Sequence, residues 1–291
     1  MNHPVSASHK YYSEHRYRLL DTCFRIRYST TEIERLTHPI VAHLEVPSET
    51  LFDLSLDVIE DWNRYHLLAN GILVASCSAA AELGPIIHAN ISLSAYESVS
   101  CLIGIHAAAV RNGNACILLP GASGNGKTTL TAALICSGFS YLTDELALLM
   151  HGSHQIRSAP VSLCLKRGAW SVLAPFHPVI NDLPIHWRDD GNAVRYLAPP
   201  VIDLATDVKQ SYPVRRMVFP LYQPGGGTTI IPLTSAEALH RLTEAGYDVK
   251  GRLHADCIGQ LVNWIAKLDC YELKFNCLSG AVSRLENCCS E

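Results

Sequence analysis

The sequence is short of charge. Asp, Glu, Lys and Arg make up 17% of its 291 residues, and the formal net charge is −4. A chain so sparsely charged lacks the basic footprint that nucleic acid requires. The densest basic cluster, Arg215-Arg216, is too small to form a patch. Long apolar runs are missing too. The best candidates are interrupted by His, Asn or Ser within a few positions, so no membrane span is expected. The stretch from Met1 to Arg18 is polar and lacks the apolar core of a secretory signal. The expectation is a cytoplasmic protein with no membrane or nucleic-acid partner. Although there are eleven cysteines, none form C-x-x-C, which argues against a cysteine metal site. Their odd number and mostly apolar settings fit reduced thiols. The adjacent pair Cys288-Cys289 stands apart, and the sequence assigns it no role.

What is present is apolar content, 48% of the chain, enough for a sizeable core. Residues 1–78 alternate short apolar runs with turn residues. Phe24–Tyr28, Val41–Val46 and Leu51–Val58 read as strands. Tyr65–Leu68 and Gly71–Ala75 read as a hairpin turning at Asn70-Gly71. This section is expected to be β-rich. Residues 79–291 are expected to form a second, mixed α/β domain. It opens with a helix between Ser78 and about Leu102, with a local break or start at Gly84-Pro85, followed by strands over Gly104–Val110 and Ala115–Leu119 with a turn at Asn112-Gly113. Thr128–Ser137 reads as a helix stopped by Gly138. Phe139–Met150 supplies strand residues, and Val161–Leu165 and Met217–Leu221 are short strands. Thr234-Ser235-Ala236-Glu237 is a capping box before a helix to Ala245. A further helix over Leu253–Leu268 and a strand over Tyr271–Phe275 follow.

One motif carries chemistry on its own. Ile117-Leu118-Leu119-Pro120 is an apolar run leading into Gly121-Ala122-Ser123-Gly124-Asn125-Gly126-Lys127-Thr128, which fits G-x-x-x-x-G-K-[ST] at every fixed position. A helix follows, as the motif requires. The glycines let backbone N–H groups face phosphate. Lys127 reaches the β- and γ-phosphates, and the Thr128 hydroxyl can ligate Mg²⁺. The positive end of the helix adds to the attraction. Gly121 through Thr129 are therefore the expected nucleotide-binding residues, with ATP as donor. Gly225-Gly226-Gly227 lacks a strand-to-helix setting and reads as a turn.

Phosphoryl transfer also needs acids. Asp144-Glu145 lies between the apolar runs Tyr141-Leu142 and Leu146–Leu149. Charge in such a setting is costly without a partner, and Mg²⁺ is the natural one.

Together these residues resemble the HPr kinase/phosphorylase C-terminal domain, which is itself similar to phosphoenolpyruvate carboxykinase around the nucleotide. His106 stands fifteen residues before Gly121, and Asp144 seventeen after Lys127, as in that family. Arg195-Tyr196-Leu197-Ala198-Pro199, Val218–Tyr222 and Pro232-Leu233 look like its branch of tailoring kinases that act with lasso peptide and other peptide-biosynthesis enzymes. The resemblance implies a mixed α/β P-loop kinase core. It implies that Asp144 is the base toward a hydroxyl, with Glu145, Thr128 and Asp144 available to Mg²⁺. Asp144 and Glu145 could exchange roles. His106 would contact the γ-phosphate or orient Asp144, and Arg195 would be a second cation beside Lys127, with Arg215 a weaker choice. The loop His186–Gly191 would be mobile and touch substrate. The implied acceptor is a Ser hydroxyl of a peptide or protein, most plausibly a ribosomal precursor peptide. A small-molecule kinase and a non-catalytic nucleotide-binding regulator are the alternatives. HPr kinases are oligomers, so a homo-oligomer is compatible. Thr129 stands where HPr kinases usually carry Glu, Glu145 where they carry Asp, and their glycine-rich phosphorylase segment has no counterpart. These departures point away from HPr itself and towards a tailoring kinase.

Overall fold

The fold, a computed structural model, describes residues 10–200, 210–250 and 254–290, together with the backbone but not the side chains of Ala115, Cys289 and Ser290. The start of the N-terminal stretch discussed above, the first residue of the helix expected from Leu253, and the Cys289 thiol lie outside the described residues. The chain divides into two units. One comprises residues 1–99 and 182–198, the other residues 100–181 and 199–291. The sequence boundary at residue 78 falls after the last strand of the N-terminal sheet, before a helix that belongs with that sheet.

The first unit begins with strands β1 (Ser13–Leu19) and β2 (Thr22–Tyr28), helix α1 (Thr31–Val41) and strand β3 (Glu45–Val46). Strands β4 (Leu54–Asp61), β5 (Arg64–Ala69) and β6 (Ile72–Cys77) and helix α2 (Leu83–Ser98) follow. The six strands form one sheet in the order β3-β1-β2-β4-β5-β6. Period-two patterning sets the register. Phe24, Ile26 and Tyr28 alternate inward on β2 and are fully buried. The hairpin between β5 and β6 turns at Asn70-Gly71, both at positive φ, as a two-residue turn matched to strand twist requires. Helices α1 and α2 pack on each other and on the sheet through Ile33, Ile40, Ile87 and Ile91.

The expected strand over Val41–Val46 is a correction. Thr30 caps α1 by accepting from the Ile33 N–H at 3.3 Å, a bond worth about 1 kcal/mol. The helix then runs to Val41 and a short 3₁₀ turn uses Ala42–Leu44, leaving only Glu45-Val46 as strand. Helical burial at Ile33, Thr37, Ile40 and Val41 outweighs the local alternation on which the strand reading rested.

The second unit is built on a large mixed sheet. Its early elements are β7 (Ile103–Ile105), β8 (Ala107–Asn112), β9 (Ala115–Pro120), α3 (Lys127–Cys136), β10 (Ser140–Thr143), β11 (Ala147–Leu149), β12 (Gln155–Arg157), β13 (Leu163–Lys166) and α4 (Arg167–Leu173). The chain then contributes β14 (His186–Trp187) and β15 (Ala193–Leu197) to the first unit, where they pair antiparallel. Back in the second unit come β16 (Ser211–Tyr222), β17 (Thr229–Pro232), α5 (Ser235–Ala245), β18 (Tyr247–Asp248), α6 (Ala255–Ile265), β19 (Asp269–Phe275) and α7 (Leu278–Ser290). The strand order is β10-β8-β9-β16-β12-β11-β7-β18, with β19 beside β16 and β17 beside β19.

Strands β9, β16 and β19 are mutually parallel neighbours through β16. Residues 116–120 of β9 and 217–220 of β16 are buried throughout and read as near-continuous apolar runs, whereas β19 mixes apolar with charged residues. Met217 and Phe219 face a core shared with Leu242 of α5 and Trp264 and Ile265 of α6. Helices α3 and α7 pack on each other, with Leu130, Leu134, Ala281 and Leu285 buried. The capping box at Thr234 and Glu237 is formed reciprocally, as the sequence indicates. The apolar run Gly104–Val110 is not one strand. It breaks at His106, where the chain leaves β7, paired with β11 and β18, and enters β8, paired with β9 and β10. The fold is thus mixed α/β. Among the described residues no helix is long and apolar enough to cross a membrane.

Candidate functional site

The Gly-rich loop lies between β9 and α3. Helix α3 starts at Lys127, one residue before the sequence reading placed it, and Gly126 precedes it at φ +88°. Gly124 also takes positive φ, +96°. The loop is tied down at both ends. Asn125 N–H donates to the Ala122 carbonyl at 3.3 Å, and the Tyr222 N–H at the end of β16 donates to the Asn125 carbonyl at 3.2 Å. Tyr222 and Phe275 stack at 5.7 Å between ring centroids beside Gly126. Parallel strands β16 and β19 therefore end against the loop and fix its shape.

Lys127 is nearly buried, 6% exposed. Its ammonium folds back over the loop and donates to the Gly121 carbonyl at 2.5 Å and the Ala122 carbonyl at 3.3 Å. Burial pushes its pKa down, while Asp144 and Glu145 pull it back up and Lys166 lowers it further. Two neutral carbonyls are weak partners for an ammonium, so Lys127 is available to a stronger acceptor.

Asp144 follows β10 in the bend that leads to β11. A bulge between Tyr141 and Thr143 interrupts the pairing of β10 with β8 just before it, and Thr143 closes the bend by donating to the Leu146 carbonyl at 3.2 Å. Bulges of this kind re-aim a side chain beside a site. Asp144 is 2% exposed, and neither carboxylate oxygen has a hydrogen-bond partner of good geometry among the described residues. Burial raises its pKa well above the usual carboxylate range, and the charge on Glu145 raises it further. The Thr128 hydroxyl and Lys127 pull it back only in part. An unpartnered buried carboxyl costs several kcal/mol if ionised, of the order seen for other uncompensated buried charges. The group is therefore poised for a cation or a proton.

Glu145 is the more exposed of the two acids, its side chain 42% open. His106 Nε2 faces its Oε2 at 3.9 Å, an ion-pair distance only when the imidazole is protonated. The His106 Nδ1 contacts the Ala245 carbonyl at 3.1 Å, and its backbone N–H donates to the Gly246 carbonyl at 3.0 Å. A carbonyl can only accept, so Nδ1 carries a proton and the ring is held with Nε2 toward Glu145. The strand break at His106 thus places the ring beside Glu145, the second acid, where the sequence reading linked it to Asp144 or phosphate.

The second unit brings together Gly121–Thr129, Asp144, Glu145 and His106. It adds a cation that the sequence reading missed. Lys166, at the end of β13, donates to the Ser123 hydroxyl at 2.8 Å, on the loop itself. Lys166 lies 43 positions from Ser123 and belongs to no motif, so only the fold reveals it. Arg195, the expected second cation, lies on β15 of the first unit. Arg215 is exposed on β16, and its neighbour Arg216 is buried. His186-Trp187 is a correction. It forms strand β14 rather than part of a mobile loop, and His186 is 1% exposed. Only Arg188–Gly191 turns, closed by the Gly191 N–H on the Arg188 carbonyl at 3.0 Å.

The residues fit a nucleoside triphosphate and a divalent cation. The loop presents backbone N–H groups at a helix start. Among the described residues Lys127 donates to two carbonyls, and the buried Asp144 oxygens have no well-formed hydrogen bond. No protein-family model matches the chain, and no curated protein matches it.

Proposed function

We propose that the chain is an ATP-dependent kinase of the HPr kinase-related type, transferring the γ-phosphoryl group to a hydroxyl. The observation that carries the reading is a P-loop lysine close to a buried acid whose carboxylate oxygens make no well-formed hydrogen bond among the described residues. Lys127 and Asp144 shift each other's pKa although each is held by burial.

Each side chain has a task in this reading. Lys127 exchanges the Gly121 and Ala122 carbonyls for phosphate oxygens and stabilises charge as it moves to the leaving group. Lys166, already on Ser123, supplies the second positive charge. Asp144 accepts the acceptor's hydroxyl proton. A carboxylate with a raised pKa is a better base than an ordinary one, provided that it is ionised when substrate is in place. Thr128 and Glu145, with Asp144, would hold Mg²⁺, which when bound neutralises phosphate charge. His106, its ring held by the Ala245 carbonyl, would orient Glu145 only when protonated.

The acceptor we favour is a Ser hydroxyl of a ribosomal precursor peptide. This rests on the resemblance and on one structural feature of the first unit. Strand β6 is a sheet edge, with Ile72, Leu73 and Val74 exposed at 70%, 50% and 45%. An open apolar edge suits an extended peptide that adds as a strand.

The test uses ATP, Mg²⁺ and candidate precursor peptides, followed by mass shift and ³¹P signals. The wild type should add one phosphate to Ser. Asp144→Asn should lose transfer by at least a hundredfold, within the usual range for removing a general base, while keeping most nucleotide affinity. Near-normal transfer by Asp144→Asn would overturn the assignment of the base. Nucleotide binding without transfer to any peptide or small alcohol would leave a nucleotide-binding regulator.

A further inference from the structure

The first unit holds a second cluster of chemistry-bearing side chains that the kinase reading does not use. His15 on β1, His38 on α1 and Glu45 on β3 bring one ligand atom each to within 4.8 Å of one another. His15 Nδ1 lies 2.8 Å from Glu45 Oε1, and His38 Nε2 lies 4.0 Å from Glu45 Oε2. The imidazole rings lie 4.6 Å apart, tilted by 32°.

The outer nitrogens are also engaged. His15 Nε2 lies 2.6 Å from Glu34 Oε1, and His38 Nδ1 lies 2.7 Å from the Tyr17 hydroxyl. Tyr17 in turn reaches the Tyr28 hydroxyl at 3.2 Å, in the fully buried interior. Metal-ligating histidines characteristically donate their second N–H to a carboxylate or another oxygen, which fixes tautomer and ring angle. In the ligand-free chain His15 Nδ1 needs a proton to bond Glu45, and a cation would take that proton's place. With an ion bound, one proton arrangement serves both rings: His15 donates from Nε2 to Glu34, and His38 donates from Nδ1 to Tyr17, which donates to Tyr28. His15 Nδ1 and His38 Nε2 then have lone pairs for the ion on the Glu45 side.

We propose that His15, His38 and Glu45 form a binding site for a first-row divalent cation, Zn²⁺ by its donor set, with Glu34 and Tyr17 as positioning residues. Two imidazoles and one carboxylate are a common zinc combination that leaves a fourth position for water. Ligands about 2.0–2.1 Å from a tetrahedral ion are about 3.4 Å apart, and one ligand atom from each of the three residues already lies within 4.8 Å of the others. Closing the site needs a side-chain adjustment that Glu45, 43% exposed, can make. The two glutamates offset the charge of the ion. The ligands come from three elements, so an ion there would join helix α1 and edge strand β3 to β1.

The test uses the full chain with Zn²⁺, and with Co²⁺ as a spectroscopic stand-in. One equivalent of Zn²⁺ should survive desalting and raise the melting temperature in proportion to the logarithm of its concentration. Co²⁺ should give the intense visible bands of a four-coordinate site. His38→Ala and Glu45→Gln should weaken Zn²⁺ binding by at least tenfold, and Glu34→Gln by about tenfold through loss of orientation. Lys127→Ala and Asp144→Asn should retain it, which separates this ion from any at the nucleotide loop. Glu45→Gln alters an exposed side chain and should fold, so the result does not depend on the histidine variant. The proposal fails if Zn²⁺ does not bind beyond buffer levels, or if stoichiometry and affinity are the same in Glu45→Gln and wild type. Either result would leave His15 as an ion-paired clamp between two glutamates.

Discussion

The ring of Phe275 closes over Gly126. A methyl on that glycine would lie 2.9 Å from the Phe275 Cζ and 3.4 Å from the Tyr222 Cβ. The residue is therefore held to glycine twice, by its left-handed backbone and by the wall that the ends of β16 and β19 form.

Gly126→Ala should consequently lose nucleotide affinity by at least tenfold. An alanine at φ +88° costs about 1–2 kcal/mol, and the contact with Phe275 adds to it. Adding Phe275→Leu should recover the packing share but not the backbone share. Calorimetric titration with an ATP analogue, on the single and double variants, separates the two. Equal affinity in Gly126→Ala and wild type would show that the loop does not hold the nucleotide in this shape.

Asp144→Asn should stabilise the ligand-free protein at neutral pH. The native-state pKa is raised, so the unfolded carboxyl ionises first as pH climbs. Wild-type stability is unaffected below the unfolded value of about 4 and is lost as pH rises from there toward the folded pKa. The asparagine variant lacks that loss. Its advantage in melting temperature should therefore grow between about pH 4 and pH 7 without Mg²⁺. It should shrink when Mg²⁺ and nucleotide are added, since these favour the wild-type carboxylate. A variant less stable than wild type at pH 7 would mean that Asp144 has a native partner.

Lys166→Ala should weaken ATP binding or transfer several-fold with little change in fold stability, because the side chain is exposed and its bond to Ser123 is on the surface. Arg195→Ala measured alongside tests the cation that sequence resemblance implied. A larger effect on transfer from Arg195→Ala than from Lys166→Ala would restore Arg195 to that role.

Gly84 and His186 make a second tight pair, within the first unit. A Cβ on Gly84 would stand 2.4 Å from the His186 Nδ1. Gly84→Ala should destabilise that unit by about 1–3 kcal/mol, as overpacking does. His186 is also a source of acid sensitivity. Burial lowers its pKa, and the bond to the Ala81 carbonyl restores part of it. Its contribution is intact above the unfolded value of about 6.5 and is lost as pH falls through that value toward the folded one. His186→Gln should flatten denaturation midpoints between about pH 6.5 and pH 5 relative to wild type. An unchanged slope would show that the ring is not held neutral.

The Gly-rich loop before α3 is legible in sequence because its residues are consecutive and their conformations are dictated locally. Gly124 and Gly126 take the positive φ that the motif demands. The Asn70-Gly71 hairpin and the Thr234 capping box were legible for the same reason. What could not be read was non-local. Lys166 meets Ser123 only because β13 ends beside the loop, and His106 turns to Glu145 only because the chain changes strand there. Helix α1 was missed because its strand-like C-terminal end is helical through burial rather than propensity. The histidines at 15 and 38 carry no spacing signal at all. They meet because β1 and α1 pack together.

The excursion of residues 182–198 into the first unit has a consequence for the order in which the protein can be made. Strands β14 and β15 belong to that unit, and His186 fills the space over Gly84. During synthesis, α2 therefore leaves the ribosome some eighty residues ahead of the strands that pack with it. At about 5–20 residues per second that interval lasts roughly 4–17 s. For that time the N-terminal sheet is complete, but the surface of α2 that β14 covers is open to chaperones. A fragment ending at residue 99 would stay permanently in that state.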